Sequence, residues 1–386
     1  MAGPLTDINV LDLTRILAGP WATQVLADYG ATVWKIERPH VGDDTRQWGP
    51  PYIKDQAGEN TQESAYYVAA NRNKQSFAID IKTEQGQQVI YEMVKNADIF
   101  IENYKVGGLQ AYGLDYKAVK AINPNIIYCS ITGFGQTGPY ADKAGYDAMI
   151  QALGGLMSVT GESDQHPAGG PQKVGVAVSD LMTGMYAVSA ILAALHHRSL
   201  TGQGQYIDLA LFDTQVAWLA NQASNYLISG EVPERLGSAH PNIAPYQVVK
   251  VAGGHMMLAV GNDRQFQALC QILGTPELAK DKDYSSNAQR VRHRDVLINR
   301  LEAILLTHDC QHWLAQLAKV NVPCAPINRL DTVFADPQIQ HRQMLFELPH
   351  PKGGMVPQVA NPVKFSETPI EYHHLAPMLN QHDETE

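Results

Sequence analysis

The stretch VLDLTRILAGPWATQVLADYGATVWKIERP, residues 10–39, decides the fold class. Val10-Leu11-Asp12-Leu13 is a short apolar run of strand length, and Val33-Trp34-Lys35-Ile36 is a second. Between them Gly19-Pro20 opens a helix, with Pro20 suited to a first-turn position where a missing N–H does no harm. Val25, Leu26 and Tyr29 give that helix an apolar face, and Gly30 stops it. Strand, helix and strand in one short stretch make a βαβ unit.

Outward from that unit the pattern repeats. A helix over 84–95 leads to a strand over 98–102, and a helix over 116–122 leads to a strand over 126–131. The span 181–197 is nearly all apolar or small and predicts a buried helix, followed by a strand over 205–211. Such alternation predicts an α/β, doubly wound domain with a mostly parallel sheet covered on both faces. From Tyr226 the character changes: a loop over 237–242, a hairpin over 248–260 around Gly253-Gly254, then helices over 265–273 and 294–318. The expected division is a large domain of residues 1–225 plus 326–386 and a smaller domain of residues 226–325. Residues 382–386 read as a frayed polar end.

The 386 residues are 45% hydrophobic and 18% charged, the mix of a globular protein with a sizeable core. A net charge of -10 disfavours a general phosphate-backbone binder, so no nucleic acid partner is expected. Cys129, Cys270, Cys310 and Cys324 form no CxxC pair and lack zinc-like histidine spacing, and Cys129 reads as a buried free thiol. No basic-then-apolar leader opens the sequence, and no uninterrupted apolar run reaches bilayer length. A cytoplasmic protein with no membrane partner is therefore expected.

The first βα turn, Thr14-Arg15-Ile16-Leu17-Ala18-Gly19-Pro20, precedes a helix N-terminus, which offers free N–H groups to an anion. It is not GxGxxG, which disfavours a nicotinamide dehydrogenase, and the absence of GxxxxGK[ST] excludes a P-loop. Gly133-Phe134-Gly135-Gln136-Thr137-Gly138-Pro139 follows a strand end, where open α/β sheets bind ligands, yet it reads equally as a plain glycine-rich turn. Asp180 falls in the first turn of the apolar helix. Taken alone it reads more readily as a helix cap than as a nucleophile, although a helix N-terminus favours the ionised form a nucleophile needs. His196-His197 and His373-His374 read as incidental, because adjacent side chains on a helix do not face each other.

With GDDTRQWGPP, NRNKQSFAIDIK, FIENYKVGGL, INPNIIYCSITGFGQTGP, AGYDAMIQALGGLM and VSDLMTGMYAVSAILAAL, the chain resembles the class III CoA-transferases over about residues 5–379. This is the formyl-CoA transferase and CaiB/BaiF superfamily. IIYCSITGFGQTGP, AGYDA, NYLISG and GSAHPNIAPYQ are most similar to its succinyl-CoA:glutarate-type dicarboxylate branch. The resemblance implies a Rossmann-like large domain with a smaller α+β domain, in an obligate homodimer of interlocked rings. It implies acyl-CoA and carboxylic acid substrates with no metal or redox cofactor. It raises Asp180 to the nucleophile that carries covalent aspartyl intermediates.

By the same resemblance, coenzyme A contacts fall on Ile16, Leu17, Ala18, Arg38, Ile79, Asp80, Ile81, Lys82, Asn103, Tyr104, Lys105, Lys143, Tyr146 and Asp147. Arg15, Arg46 and His240 are candidates for the far carboxylate of a dicarboxylate, Arg15 and Arg46 fitting equally well as partners of Asp or Glu. The sequence departs from the family pattern at Lys105-Val106 in place of Arg-Pro, at Ala111 in place of a basic contact, and in a shorter loop at 237–242; these argue against formyl-CoA. An α-methylacyl-CoA racemase is the alternative on this fold, but that branch carries histidine where Tyr146 stands, and tyrosine is a poor base near neutrality. A non-catalytic acyl-CoA binder is opposed by Asp180 together with Tyr146 and Asp147.

Overall fold

The computed structural model describes residues 3–382; of the polar end expected to fray at 382–386, His382 is instead tied to Ser76 by two hydrogen bonds, and 383–386 lie outside the described residues. Two compact units are present. The first runs to Gly155 and includes Val174–Leu219 and the chain from Pro337; the second is Leu156–Lys173 with Ala220–Asp336. This differs from the boundaries expected at 226 and 325. The second unit also takes 156–173, a turn-rich segment tied to it where the Gly237 N–H donates to the Gly161 carbonyl.

In the first unit the chain runs through β1 (Asn9–Asp12), α1 (Ala18–Asp28), β2 (Thr32–Glu37), β3 (Lys74–Ala78), α2 (Glu84–Asn96), β4 (Ile99–Glu102), α3 (Tyr116–Ile122), β5 (Ile127–Thr132), α4 (Asp147–Leu153), α5 (Val178–Thr201) and β6 (Tyr206–Ala210). The sheet order is β3-β2-β1-β4-β5-β6, with every neighbouring pair parallel. This is a Rossmann-like doubly wound sheet. Its strand order reverses between β1 and β4, so a crevice opens beyond their carboxyl ends. Alternate residues supply the two faces: Val10, Val33, Ile99 and Ile127 pack with α1 and α5, while Leu11, Phe100 and Tyr128 pack with α2 and α3.

β3 escapes the sequence pattern because its inward residues are polar. Lys74 Nζ lies 3.3 Å from Asp12 Oδ2, and the Ser76 hydroxyl donates to Glu37 Oε1 at 2.7 Å. The apolar helix α5 is longer than expected and, by length and composition alone, would suffice to cross a membrane. The uninterrupted-run test missed this because Asp180 and the histidines break the run. Half of its apolar window is packed inside the fold. A Cβ on Gly184 would stand 2.7 Å from the Ala18 carbonyl oxygen, so glycine there lets α5 approach α1 closely.

The second unit is built on β7 (Tyr246–Val251) and β8 (Gly254–Ala259), joined as the predicted hairpin. It adds α6 (Asp263–Ile272), α7 (Arg294–Leu305), α8 (Cys310–Ala318) and β9 (Cys324–Pro326), the last pairing with β8. The span expected as one helix breaks between α7 and α8, where Asp309 caps α8 by accepting the His312 N–H at 2.8 Å.

Arg46 is buried in the first unit. Its guanidinium donates to both Glu37 oxygens, to Glu63 Oε1 at 3.0 Å, to the Tyr67 hydroxyl and to the Pro377 carbonyl. All three of its nitrogens are engaged, so the structure removes Arg46 from the acceptor-binding candidates and makes it a structural cation. In the tail that supplies Pro377, the Asn380 side-chain oxygen also accepts the Ala78 N–H at the end of β3. Arg46→Ala should cost about 3–5 kcal/mol of stability in urea denaturation at neutral pH, because two buried carboxylates lose their partner. The loss should shrink in acid as Glu37, which Arg46 holds below its ordinary range against the effect of burial, takes up a proton. A loss under about 1 kcal/mol would contradict this role.

Candidate active site

The turn after β1, the loops after β4 and β5 and the first turn of α5 converge beyond the carboxyl ends of the strands. They enclose a cavity of about 390 Å³ lined by Ile16, Leu17, Ala18, Asn103, Tyr104, Lys105, Tyr146 and Asp180. A smaller cavity of about 120 Å³ is lined by Arg38, Ile79, Asp80, Ile81 and Lys82, and Arg15 and Tyr104 wall both. Most of the residues singled out from the sequence therefore share two adjoining cavities. Lys143 does not; it is exposed, with its ammonium 3.7 Å over the Tyr140 ring. His240 lies in the second unit, where its Nδ1 accepts the Asn242 N–H at 3.1 Å.

The first βα turn is strained and pinned. Ile16 has φ 73°, a left-handed conformation that is costly for a β-branched side chain. Its N–H donates to Asp43 Oδ1 at 3.2 Å. One residue earlier, the Asn103 side-chain amide clasps Arg15 at both ends of its main chain, accepting its N–H at 2.9 Å and donating to its carbonyl at 2.7 Å. Asn103 is thus a brace between the loops after β1 and β4. Arg15 donates through Nη1 to Asp44, while its Nε is buried without a partner. Asp44 also receives Arg38 at 2.7 Å. On the opposite wall, Gly133 and Gly145 lie back to back; a Cβ on Gly133 would sit 2.7 Å from the Gly145 Cα. That approach brings the loop after β5 against the Tyr146 segment.

Asp180 is the third residue of α5 and only 8% exposed. The cap of α5 comes from elsewhere: Asp147, at the start of α4, accepts the Ser179 N–H at 2.9 Å and the Asp180 N–H at 3.3 Å. The amides that would favour an ionised Asp180 are spent on its neighbour, and the Asp180 carboxyl receives no hydrogen bond among the described residues. Burial, and then the Asp147 charge, push its pKa up to about 7. This reverses the sequence expectation that the helix N-terminus would hold Asp180 ionised.

Trp48 and Tyr66 were not singled out by sequence. Trp48 lines the Asp180 cavity and meets Tyr66 edge to face, ring centroids 5.1 Å apart. Burial raises the Tyr66 pKa to about 12, with Asp180 contributing. The signal was available as a lone tryptophan in the polar run GDDTRQWGPP. Among the described residues, no group of three or more His, Cys, Asp or Glu is gathered as a metal site.

A doubly wound sheet with a buried carboxylate in one of two adjoining cavities has the form of an enzyme site, and comparison supplies its class and family. CoA-transferase family III matches residues 5–383. The succinate–glutarate CoA-transferase of Agrobacterium fabrum is 50% identical over 98% of this chain and 94% of its own length. The human succinyl-CoA:glutarate CoA-transferase is 43% identical over 98% of this chain and 84% of its own. The crystal structure of a CAIB/BAIF family protein from Brucella suis superposes with a TM-score of 0.86 at 50% identity, covering 99% of this chain and 98% of that one. The chain belongs to CoA-transferase family III.

The buried Asp180 has a stability signature. Its ordinary pKa is 3.8 and its folded value about 7, so ionisation works against folding as pH rises above about 4 and in full above about 7. Asp180→Asn should match the wild type near pH 4 and exceed it by about 2–4 kcal/mol near pH 8, measured by denaturation across that range. Equal stability at pH 8 would contradict the buried, unsatisfied state of the carboxyl.

Proposed function

We propose that this family III CoA-transferase moves coenzyme A from an acyl-CoA donor such as succinyl-CoA to a short dicarboxylate of glutarate or succinate size, through covalent intermediates on Asp180. The observation that carries the reading is the Asp180 carboxyl, buried and free of hydrogen bonds, in a cavity shared with the turn after β1 and the loop after β4. The named activities of the Agrobacterium and human relatives support the acceptor class.

In this reading the nucleotide end of the CoA ester lies along Arg38 and residues 79–82, and its thioester reaches Asp180 past Tyr104. Ionised Asp180 attacks the thioester carbonyl and expels CoA thiolate, leaving a mixed anhydride. The thiolate then attacks the aspartyl carbonyl of that anhydride, giving an aspartyl-CoA thioester and the free donor acid. The acceptor carboxylate attacks this thioester, re-forming an anhydride and thiolate. Thiolate attack on the acceptor's acyl carbon yields the new CoA ester and regenerates Asp180. Covalent capture divides one difficult exchange into smaller steps. A desolvated carboxylate is a stronger nucleophile than a solvated one, so the burial that raises its pKa serves the attack once the proton has left. The exposed side chains of Met185 and Tyr186 on α5, and an apolar cavity of about 760 Å³ walled by Trp21, Val25 and Val359, would suit contact with a second copy; the interlocked form of that homodimer is what the family resemblance implies.

Asp180→Ala should lower transfer by about 10³-fold or more while CoA-ester binding persists in calorimetry. Hydroxylamine added after acyl-CoA should mark Asp180; a mark on another carboxylate would relocate the nucleophile. In the wild type, kcat should rise with pH through about 7 as Asp180 ionises. The far carboxylate of the acceptor needs a cation, and Arg15, with its unpartnered buried Nε, is the best placed in the cavity wall. Arg15→Met should cut the kcat/KM of glutarate about 30- to 150-fold relative to pentanoate, the worth of about 2–3 kcal/mol for a charged hydrogen bond. An unchanged ratio would exclude Arg15 from that role.

A further inference from the structure

Glu102 ends β4 with its side chain buried, 6% exposed. One carboxylate oxygen accepts the Tyr104 N–H at 2.7 Å, and Ser130 is its register partner on the neighbouring strand β5. Ser130 Oγ in turn accepts the Gln136 side-chain amide at 2.8 Å. Gln136 belongs to the glycine-rich loop after β5, and its own N–H is held by Asp208 at 3.2 Å. Glu102 and Ser130 thus stand side by side on adjacent strands, one holding the loop after β4 and the other the loop after β5. A cavity of about 290 Å³ lies over the junction, lined by Glu102, Ser130, Gln136 and Tyr206; its Lys105 also lines the Asp180 cavity.

This carboxyl differs from the other buried glutamates of the first unit. Glu37 and Glu63 each hold Arg46, whereas no cation bonds to Glu102 among the described residues. A buried carboxylate without a counter-charge costs stability, and a glutamine would fill the same space without that cost.

We propose that Glu102 is a positioning residue of the transferase, holding Asn103–Lys105 in register with the loop after β5 so that they meet the CoA ester. This rests on the reading above that those residues contact coenzyme A. An ionised acceptor holds the Tyr104 N–H more firmly than a neutral one. Burial raises the Glu102 pKa to about 7, with Ser130 and the Tyr104 N–H drawing it back. The other titratable groups near it are Tyr104, Tyr128, Cys129 and Tyr206, all raised by burial, with Lys105 and Asp115 bordering the cavity and Asp208 behind Gln136. The hold thus tightens as pH rises through neutrality.

The test is the apparent KM for the CoA ester, and kcat, measured from about pH 6 to about pH 8.5 in the wild type, Glu102→Gln and Glu102→Ala. The wild-type KM should fall about three- to fivefold with rising pH. Glu102→Gln should be flat near the wild-type acid value, and Glu102→Ala higher still, with kcat in both within about threefold of wild type. A Glu102→Gln profile that follows the wild type, or an unchanged KM in Glu102→Ala, would overturn the proposal. Calorimetric binding of coenzyme A to Lys105→Ala reports on the underlying reading. Undiminished affinity there removes the loop's CoA contact, and this inference with it. Diminished affinity beside unaltered Glu102 variants overturns this inference alone.

Discussion

Charge buried beneath the carboxyl edge of the sheet is the constraint on which the rest depends. Asp12, Lys35, Asp43 and Lys74 are all enclosed, with Lys35 2.9 Å from Asp43 and Lys74 3.3 Å from Asp12. Burial alone would raise the pKa of Asp12, but Lys74 and Lys35 more than offset it and hold the carboxylate ionised. None of these groups can shift without stranding a charge, which would cost several kcal/mol. An apolar core of the same volume would hold the sheet at least as firmly, but it would not aim a main-chain N–H. Asp43 is the member of the lattice that reaches the surface of the site, and through it the strain at Ile16 is held in place.

Asp180 lives under the opposite rule. Its burial is uncompensated, and its helix N-terminus is already occupied by Asp147. The two carboxylates stand side by side with their tasks divided: one closes the helix, the other is left free. Under the function proposed above, a carboxylate that is costly to ionise and poorly solvated suits a nucleophile that must form and break an anhydride.

The alternating strands and helices were legible in sequence wherever the inward residues were apolar, as in β1, β2, β4 and β5. β3 was not, because Lys74 and Ser76 point inward toward partners more than thirty residues away. The break between α7 and α8 was missed for a related reason: the apolar period continues across a cap that only Asp309 announces. Asp180 could be found but not interpreted from its own surroundings, since helix position argued for a cap. What changed its role is a hydrogen bond from α5 to Asp147, a contact between residues 33 apart. Arg15 and Arg46 read alike in sequence and diverge only in burial, one walling a cavity and the other locked between Glu37 and Glu63. Trp48 and Glu102 were each inside quoted motifs, but nothing local distinguishes a cavity wall or a loop tie from an ordinary polar turn.

The tail from Pro337 has a bearing on how the chain is made. The Pro377 carbonyl that completes the Arg46 shell lies 331 positions downstream of it, and Asn380 bonds to Ala78 from 302 positions away. Once the chain has emerged past Ala210, every strand of the sheet is available, but its Arg46 shell still lacks this last acceptor. The α/β unit therefore closes only after the intervening second unit has been synthesised, in the order that chain topology rather than local preference dictates. A nascent chain halted before Pro377 would carry every strand of the central sheet and still lack a finished fold.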